Sequence, residues 1–177
     1  MDLENVKVGD KLIISLLKYG DQTATAQLVT DDEILYLFDK SLVVGMMNER
    51  WDNEGGYEKT DLKQWIKRFL FPLFSPDIQQ KMYDLTIPTY GQIFEKDSWY
   101  YDYVEPDDQE QLPLMVDKRY RAARIDEGDS YFNYWLQNPT KSIVSNSAFI
   151  HVTCLGTPSF GNPSAFYGIR PIFRIKK

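Results

Sequence analysis

Short apolar runs separated by turn residues open the chain. KLIIS (11–15), TATAQLV (23–29) and EILYLF (33–38) are rich in β-branched and aromatic residues. YGDQ (19–22) and TDDE (30–33) lie between them with good turn chemistry, so residues 6–45 read as a β segment. SLVVG (41–45) is either a fourth strand or the lead into the helical segment after it.

The period then changes. Leu62, Trp65, Ile66, Phe69 and Leu70 recur at helical spacing after Thr60, a suitable N-cap, and Pro72 stops the pattern. Ser75 and Pro76 restart it as cap and first residue, with Ile78 and Met82 on one face. Thr89 and Gln92 have capping-box spacing and predict a third short helix, so residues 60–96 are expected to be helical. Residues 97–130 follow neither period and read as a long loop region. FNYWL, SAFIHVTC and YGIRPIFRI predict C-terminal strands over 131–177, the last of them running through Gly168, Arg170 and Pro171. The fold class expected is α+β, in a single domain spanning 1–177, with no internal repeats and no linker.

Composition narrows the reading further. Hydrophobic residues make up 43% and charged residues 26% of the 177, a folded rather than disordered balance. Aromatics reach 15%, a load common in β-rich and lectin-like domains. Formal net charge is −6, which argues against nonspecific binding to nucleic acid or anionic membrane and leaves room for a protein partner with a basic face. Cys154 is the single cysteine, so no internal disulfide forms. No apolar stretch reaches the about 20 residues that a membrane helix needs. MDLENVKVGD does not read as a secretory leader, so the expectation is cytoplasmic synthesis, or carriage on a phage particle.

Six motifs occur in one order: LKQWIKRFLFPLF, IPTYGQIF, QLPLM, YWLQNP, SAF and YGIRPIFRI. In this they resemble an uncharacterised domain family of gut Firmicutes and their phages, whose members end on Gly-Val-Arg-Pro. The resemblance covers roughly residues 40–177. It implies a C-type-lectin-like fold of the kind shared with formylglycine-generating enzymes and some phage tropism determinants. It further implies that the terminal strand pairs near the N-terminal strand and closes the domain. Arg170 is then a structural anchor, tied to a buried carboxylate or to backbone carbonyls. Gly168 and Trp135 are structural anchors beside it. Members often carry Trp-Trp-Leu-Arg-Ser where this chain has Tyr134, Trp135, Leu136, Gln137 and Asn138, so one candidate ionic anchor is lost.

Candidate chemistry is sparse. The copper-dependent relatives of that fold use paired cysteines, whereas Cys154, with the strand parity of Ile150 and Val152, reads as a buried thiol. The iron-dependent ones need several histidines, and His151 is the only one; no Ser or Cys is spaced to partner it as a base. EPDD (105–108) and DEGD (126–129) offer oxygens to calcium without the second partnering motif, and read as solvated loops. No metal or cofactor is expected, and no catalytic residue is singled out; a carboxylate pair such as Asp107 with Glu110 is the residual option.

What remains is binding. DSWYYDYVEPDDQEQ places Trp99, Tyr100, Tyr101 and Tyr103 among carboxylates that include Asp107 and Asp108. If the segment is extended, about half of the four rings point inward. DKRYRAAR comes next with Arg119 and Arg121, expected to neutralise the acidic segment through ion pairs rather than to hold phosphate. Trp51, Trp65 and Trp135 are expected in the core. The reading is a non-enzymatic module that binds a protein or glycan through residues 97–125. The alternative is a small acidic phage-encoded antagonist of a host defence or nucleic-acid enzyme, seated on a basic surface.

Overall fold

The computed structural model describes residues 3–125 and 130–177. Strands β1 (Lys11–Leu16), β2 (Gly20–Val29) and β3 (Glu33–Phe38) form an antiparallel meander. β4 (Val43–Gly45) comes after it, then α1 (Asp61–Trp65), α2 (Pro76–Lys81) and β5 (Met82–Thr86). α3 (Tyr90–Ile93), α4 (Lys118–Arg121), β6 (Ala123–Arg124) and β7 (Tyr131–Phe132) occupy the middle of the chain. The C-terminal part holds β8 (Tyr134–Pro139), β9 (Phe149–Val152), β10 (Pro158–Gly161), β11 (Tyr167–Ile169) and β12 (Ile172–Lys176). Short helices beside several sheets make this a small α+β fold.

Two five-stranded sheets carry it, in the orders β1-β2-β3-β12-β5 and β10-β9-β8-β11-β4. YGIRPIFRI is therefore two strands in two sheets, where the sequence predicts one. Pro171 explains the break: it has no N–H to donate, while its carbonyl still accepts from Phe38 N at 3.0 Å. On one side β11 pairs with β4 and touches β8; on the other β12 lies between β3 and β5.

Strand alternation builds two apolar clusters. Ile34, Tyr36 and Phe38 of β3 join one, with Phe173 and Ile175 of β12, Ile14, and Leu62, Ile66 and Leu70 of the helical segment. Leu35 and Leu37 join the other, with Tyr134, Leu136, Ile150, Val152 and Ile172. β3 is thus buried on both faces, which is why EILYLF is an almost unbroken apolar run.

The helical region departs from its prediction at three points. Thr60 caps α1, accepting from Lys63 N, but the coil widens to a π-helix over 66–70 before a 3₁₀ turn ends at Pro72 and Leu73. That change of pitch turns Phe69 outward, where it is 61% exposed. Ser75 makes no side-chain cap bond; its carbonyl accepts from Ile78 and Gln79 instead. Met82 begins a strand rather than continuing α2, because β12 offers it a ladder partner in Ile175.

The tryptophans divide. Trp135 is fully buried and donates to Gly45 O at 2.9 Å. Trp65 is half-buried, and Trp51, expected inside, is 71% exposed in an irregular stretch that no apolar period protects. Cys154 likewise lies exposed in the turn after β9, because the strand ends at Val152 and parity no longer applies.

Gly168 is required by close approach. A Cβ there would sit 2.8 Å from Ser41 Cβ and 3.2 Å from Asn133 O, while Gly168 N already donates to Asn133 O at 2.7 Å. Gly168→Ala is expected to lower unfolding free energy by about 1–3 kcal/mol through overpacking, read by urea denaturation. Unchanged stability would show that Ser41 and Asn133 yield without cost.

Candidate functional site

The aromatic segment is not extended. Residues Trp99–Tyr103 wind as a 3₁₀ helix, so side chains fan around three sides instead of alternating. Trp99 stands out at 73% exposure and Tyr103 at 39%, while Tyr100 is buried and Tyr101 is half-buried against Tyr90. The inward pair is therefore Tyr100 and Tyr101.

Trp99, Tyr100 and Tyr103 pack edge to face in a triangle, with centroids 5.5, 5.9 and 5.9 Å apart. Tyr90 stacks beneath Tyr100 at 6.3 Å and meets Phe94 at 5.0 Å. Trp99, Tyr100, Tyr90, Phe94 and Arg121 line a concavity of about 340 Å³, with Glu95, Ser98, Thr157 and Pro158 at its margins. That volume is within the range of small-ligand sites.

Its polar groups are held in place. Arg121 donates Nε to Met115 O at 2.6 Å and Nη2 to Val116 O at 3.1 Å, and its guanidinium lies 5.4 Å from the Phe94 ring centre. Tyr90 Oη and Ser98 Oγ are 2.9 Å apart. Burial pushes the Tyr90 and Tyr100 phenols up from their ordinary values, so both stay neutral. The Tyr100 hydroxyl lies near Ser159 at a geometry that does not complete a hydrogen bond.

Beneath this shelf is a knot of side-chain-to-backbone bonds. The capping box of Thr89 and Gln92 is complete, and Tyr90 N donates to Asn138 Oδ1 at 2.6 Å. Gly91 N donates to Asp107 Oδ2 at 3.0 Å, and Asn138 Nδ2 donates to the same oxygen at 2.8 Å. Gly91 has no side chain because Asp107 and the Gln109 carbonyl fill that space. Asp107 is therefore a strut and not a ligand-facing carboxylate; Gln109 N occupies its other oxygen at 2.9 Å. Gln137 and Asn138, two of the three departures from the resembled motif, are structural as well. Gln137 donates to Ile87 O at 2.6 Å and Asn138 to Glu105 O at 2.9 Å.

The remaining predicted residues scatter. Asp108 is exposed and accepts from Gln109 Nε2 at 2.7 Å. Arg119 makes a bidentate pair with Asp117, whose carboxyl it holds below the usual range, and it faces away from the rings. Neither Arg119 nor Arg121 pairs with the 105–110 acids; Glu110 meets Lys96 at 3.6 Å instead. Arg170 donates to Phe38 O at 2.7 Å, to Tyr120 O and Arg121 O at 3.2 and 3.3 Å, and to Tyr134 Oη at 3.2 Å. Its partners are carbonyls and a phenol, with no carboxylate. Tyr90, Phe94, Glu95, Ser98 and Thr157 carry no functional signal in the sequence. Of these only IPTYGQIF leaves a trace, and it reads as a helix start.

Among the described residues, no group of three or more His, Cys, Asp or Glu side chains is placed to hold a metal ion, and DEGD (126–129) lies outside them. No helix among them is long and apolar enough to cross a membrane. Compared with known proteins, the chain matches no family model, no curated protein and no solved structure.

His151 is inside, between Trp135 and Tyr167 at 6.1 and 4.3 Å, and its Nδ1 has no hydrogen-bond partner. Burial lowers its pKa from 6.5 to about 4. The unfolded chain binds this proton more readily, so stability is full above pH 6.5 and falls as pH drops toward 4. Between pH 7 and pH 5 the wild type is expected to lose about 2 kcal/mol more than His151→Leu in urea unfolding. Equal losses would show that the ring is protonated in place.

Proposed function

We propose that the chain is a recognition module that binds a glycan or a protein surface at the aromatic concavity, without bond chemistry of its own. The observation that carries this reading is Trp99. A large ring, 73% exposed, is braced edge-on by Tyr100 and Tyr103 above a knot that lacks freedom to collapse around it. Rigid flat side chains present contact area at low entropy cost. Glu95, Ser98, Thr157 and Arg121 add acceptors and donors at the margin, the pattern that orients a hydroxylated or amide-bearing ligand.

A second reading has its own support. Asp102, Glu105, Asp108 and Glu110 are all exposed and lie in or just after the same stretch of chain as the rings. That exposed acidic stretch suits a basic protein face, and the chain would then act as an antagonist that covers such a face on a host enzyme.

Salt separates the two. The test is a glycan array, with a panel of basic nucleic-acid enzymes beside it, at low and high ionic strength. Trp99→Ala with Tyr103→Ala is the variant, both side chains being outward and free of the core. Glycan binding that survives high salt and weakens by about 2 kcal/mol, roughly thirtyfold in Kd, in the variant is the expected result. Binding to a basic protein that fades steeply with salt would replace it by the antagonist reading. A ligand held equally by the variant would place recognition on another surface.

A further inference from the structure

A second cleft opens where β1 and β2 meet the 119–124 segment, with a volume of about 230 Å³. Its lining reverses the charge of the chain as a whole. Lys11, Lys40, Arg119, Arg124 and Arg170 line it, against one carboxylate, Asp39, among the described residues. That carboxylate is already engaged: it accepts from Lys11 Nζ at 2.7 Å and is short-bonded to the Thr25 hydroxyl. The Lys40 side chain has no ion-pair or hydrogen-bond partner among the described residues.

Arg170 makes the argument sharper. It is 4% exposed, and every group it bonds is electrically neutral. A buried guanidinium without a counter-charge is costly, and nearby anionic charge offsets that cost. Gln27 supplies an independent sign. It is 2% exposed, lines the same cleft, and its Oε1 has no partner. The amide is not simply turned the wrong way, because its Nε2 donates to Thr25 O at 3.3 Å and a flip would face two carbonyl oxygens. Lys11 is paired with Asp39 and Arg119 with Asp117, so Lys40 and Arg170 are the cleft cations that no carboxylate meets among the described residues, beside one buried acceptor that wants a hydroxyl or N–H donor.

We propose that this cleft binds a small phosphorylated polyol. The phosphate lies against Lys40 and Arg170, and a hydroxyl of the ligand donates to Gln27 Oε1. A dianion answers two cations at once, and charge-assisted bonds to phosphate are the strongest such contacts available. The site lies apart from the aromatic concavity, so neither reading needs the other.

The test is calorimetric titration of the whole chain with glucose 6-phosphate, inorganic phosphate and glucose, each against sodium chloride of matched ionic strength. Glucose 6-phosphate is expected to bind saturably, inorganic phosphate more weakly, and glucose undetectably. Lys40→Gln, at a side chain that holds nothing in the fold, should weaken both phosphates about tenfold. Lys67→Gln, an equal loss of charge on an exposed part of the helical segment, should leave them unchanged. Gln27→Leu should remove the advantage of glucose 6-phosphate over phosphate. No saturable binding, the same response to chloride, or equal effects of Lys40→Gln and Lys67→Gln would each overturn the anion site. Glucose 6-phosphate binding no better than phosphate in the wild type would overturn the polyol.

Discussion

The fold turns on the Arg170 guanidinium. Only Arg170 and Pro171 separate β11, in one sheet, from β12, in the other. At that crossing neither ladder can satisfy the surrounding carbonyls, and Pro171 has no N–H to help. Arg170 reaches the end of β3 at Phe38, the carbonyls of Tyr120 and Arg121 in α4, and the Tyr134 phenol of β8. One side chain therefore joins both sheets to the segment between them. No other side chain brings five donors in a fixed fork to such a place.

The aromatic shelf depends on this junction. The α4 backbone that Arg170 holds also carries the Arg121 side chain, which turns the other way to meet Phe94 and the Met115 and Val116 carbonyls. From the opposite side Asn138 and Asp107 satisfy the amides at the start of α3 and hold Tyr90 under Tyr100. The rings are fixed before any ligand arrives, and preorganisation of that kind is what lets modest contact area yield useful affinity.

Charge is distributed by site and not by average. The chain is acidic overall, yet among the described residues cations outnumber acids in the lining of the second cleft. Segment 119–124 contributes to both sites, with Arg121 to the rings and Arg119 to the cleft.

Local order was legible wherever a short-range pattern decides it. Alternation and turn residues marked β1, β2 and β3; Thr60 and the Thr89–Gln92 spacing marked helix starts that form as expected. The aromatic density at 99–103 also marked a cluster of rings, although the segment coils as 3₁₀ and so sorts them differently from an extended strand. Long-range partners decided the rest. Met82 is a strand residue because β12 lies beside it, Cys154 is exposed because β9 stops two residues earlier, and Asp107 is a strut because Gly91 and Asn138 reach it. Composition and periodicity thus determined by themselves that this is an α+β chain with an aromatic, acidic middle. Only tertiary packing decided which carboxylates and cations are consumed by the fold and which stay open to solvent, because a hydrogen bond between residues tens of positions apart leaves no period in the sequence.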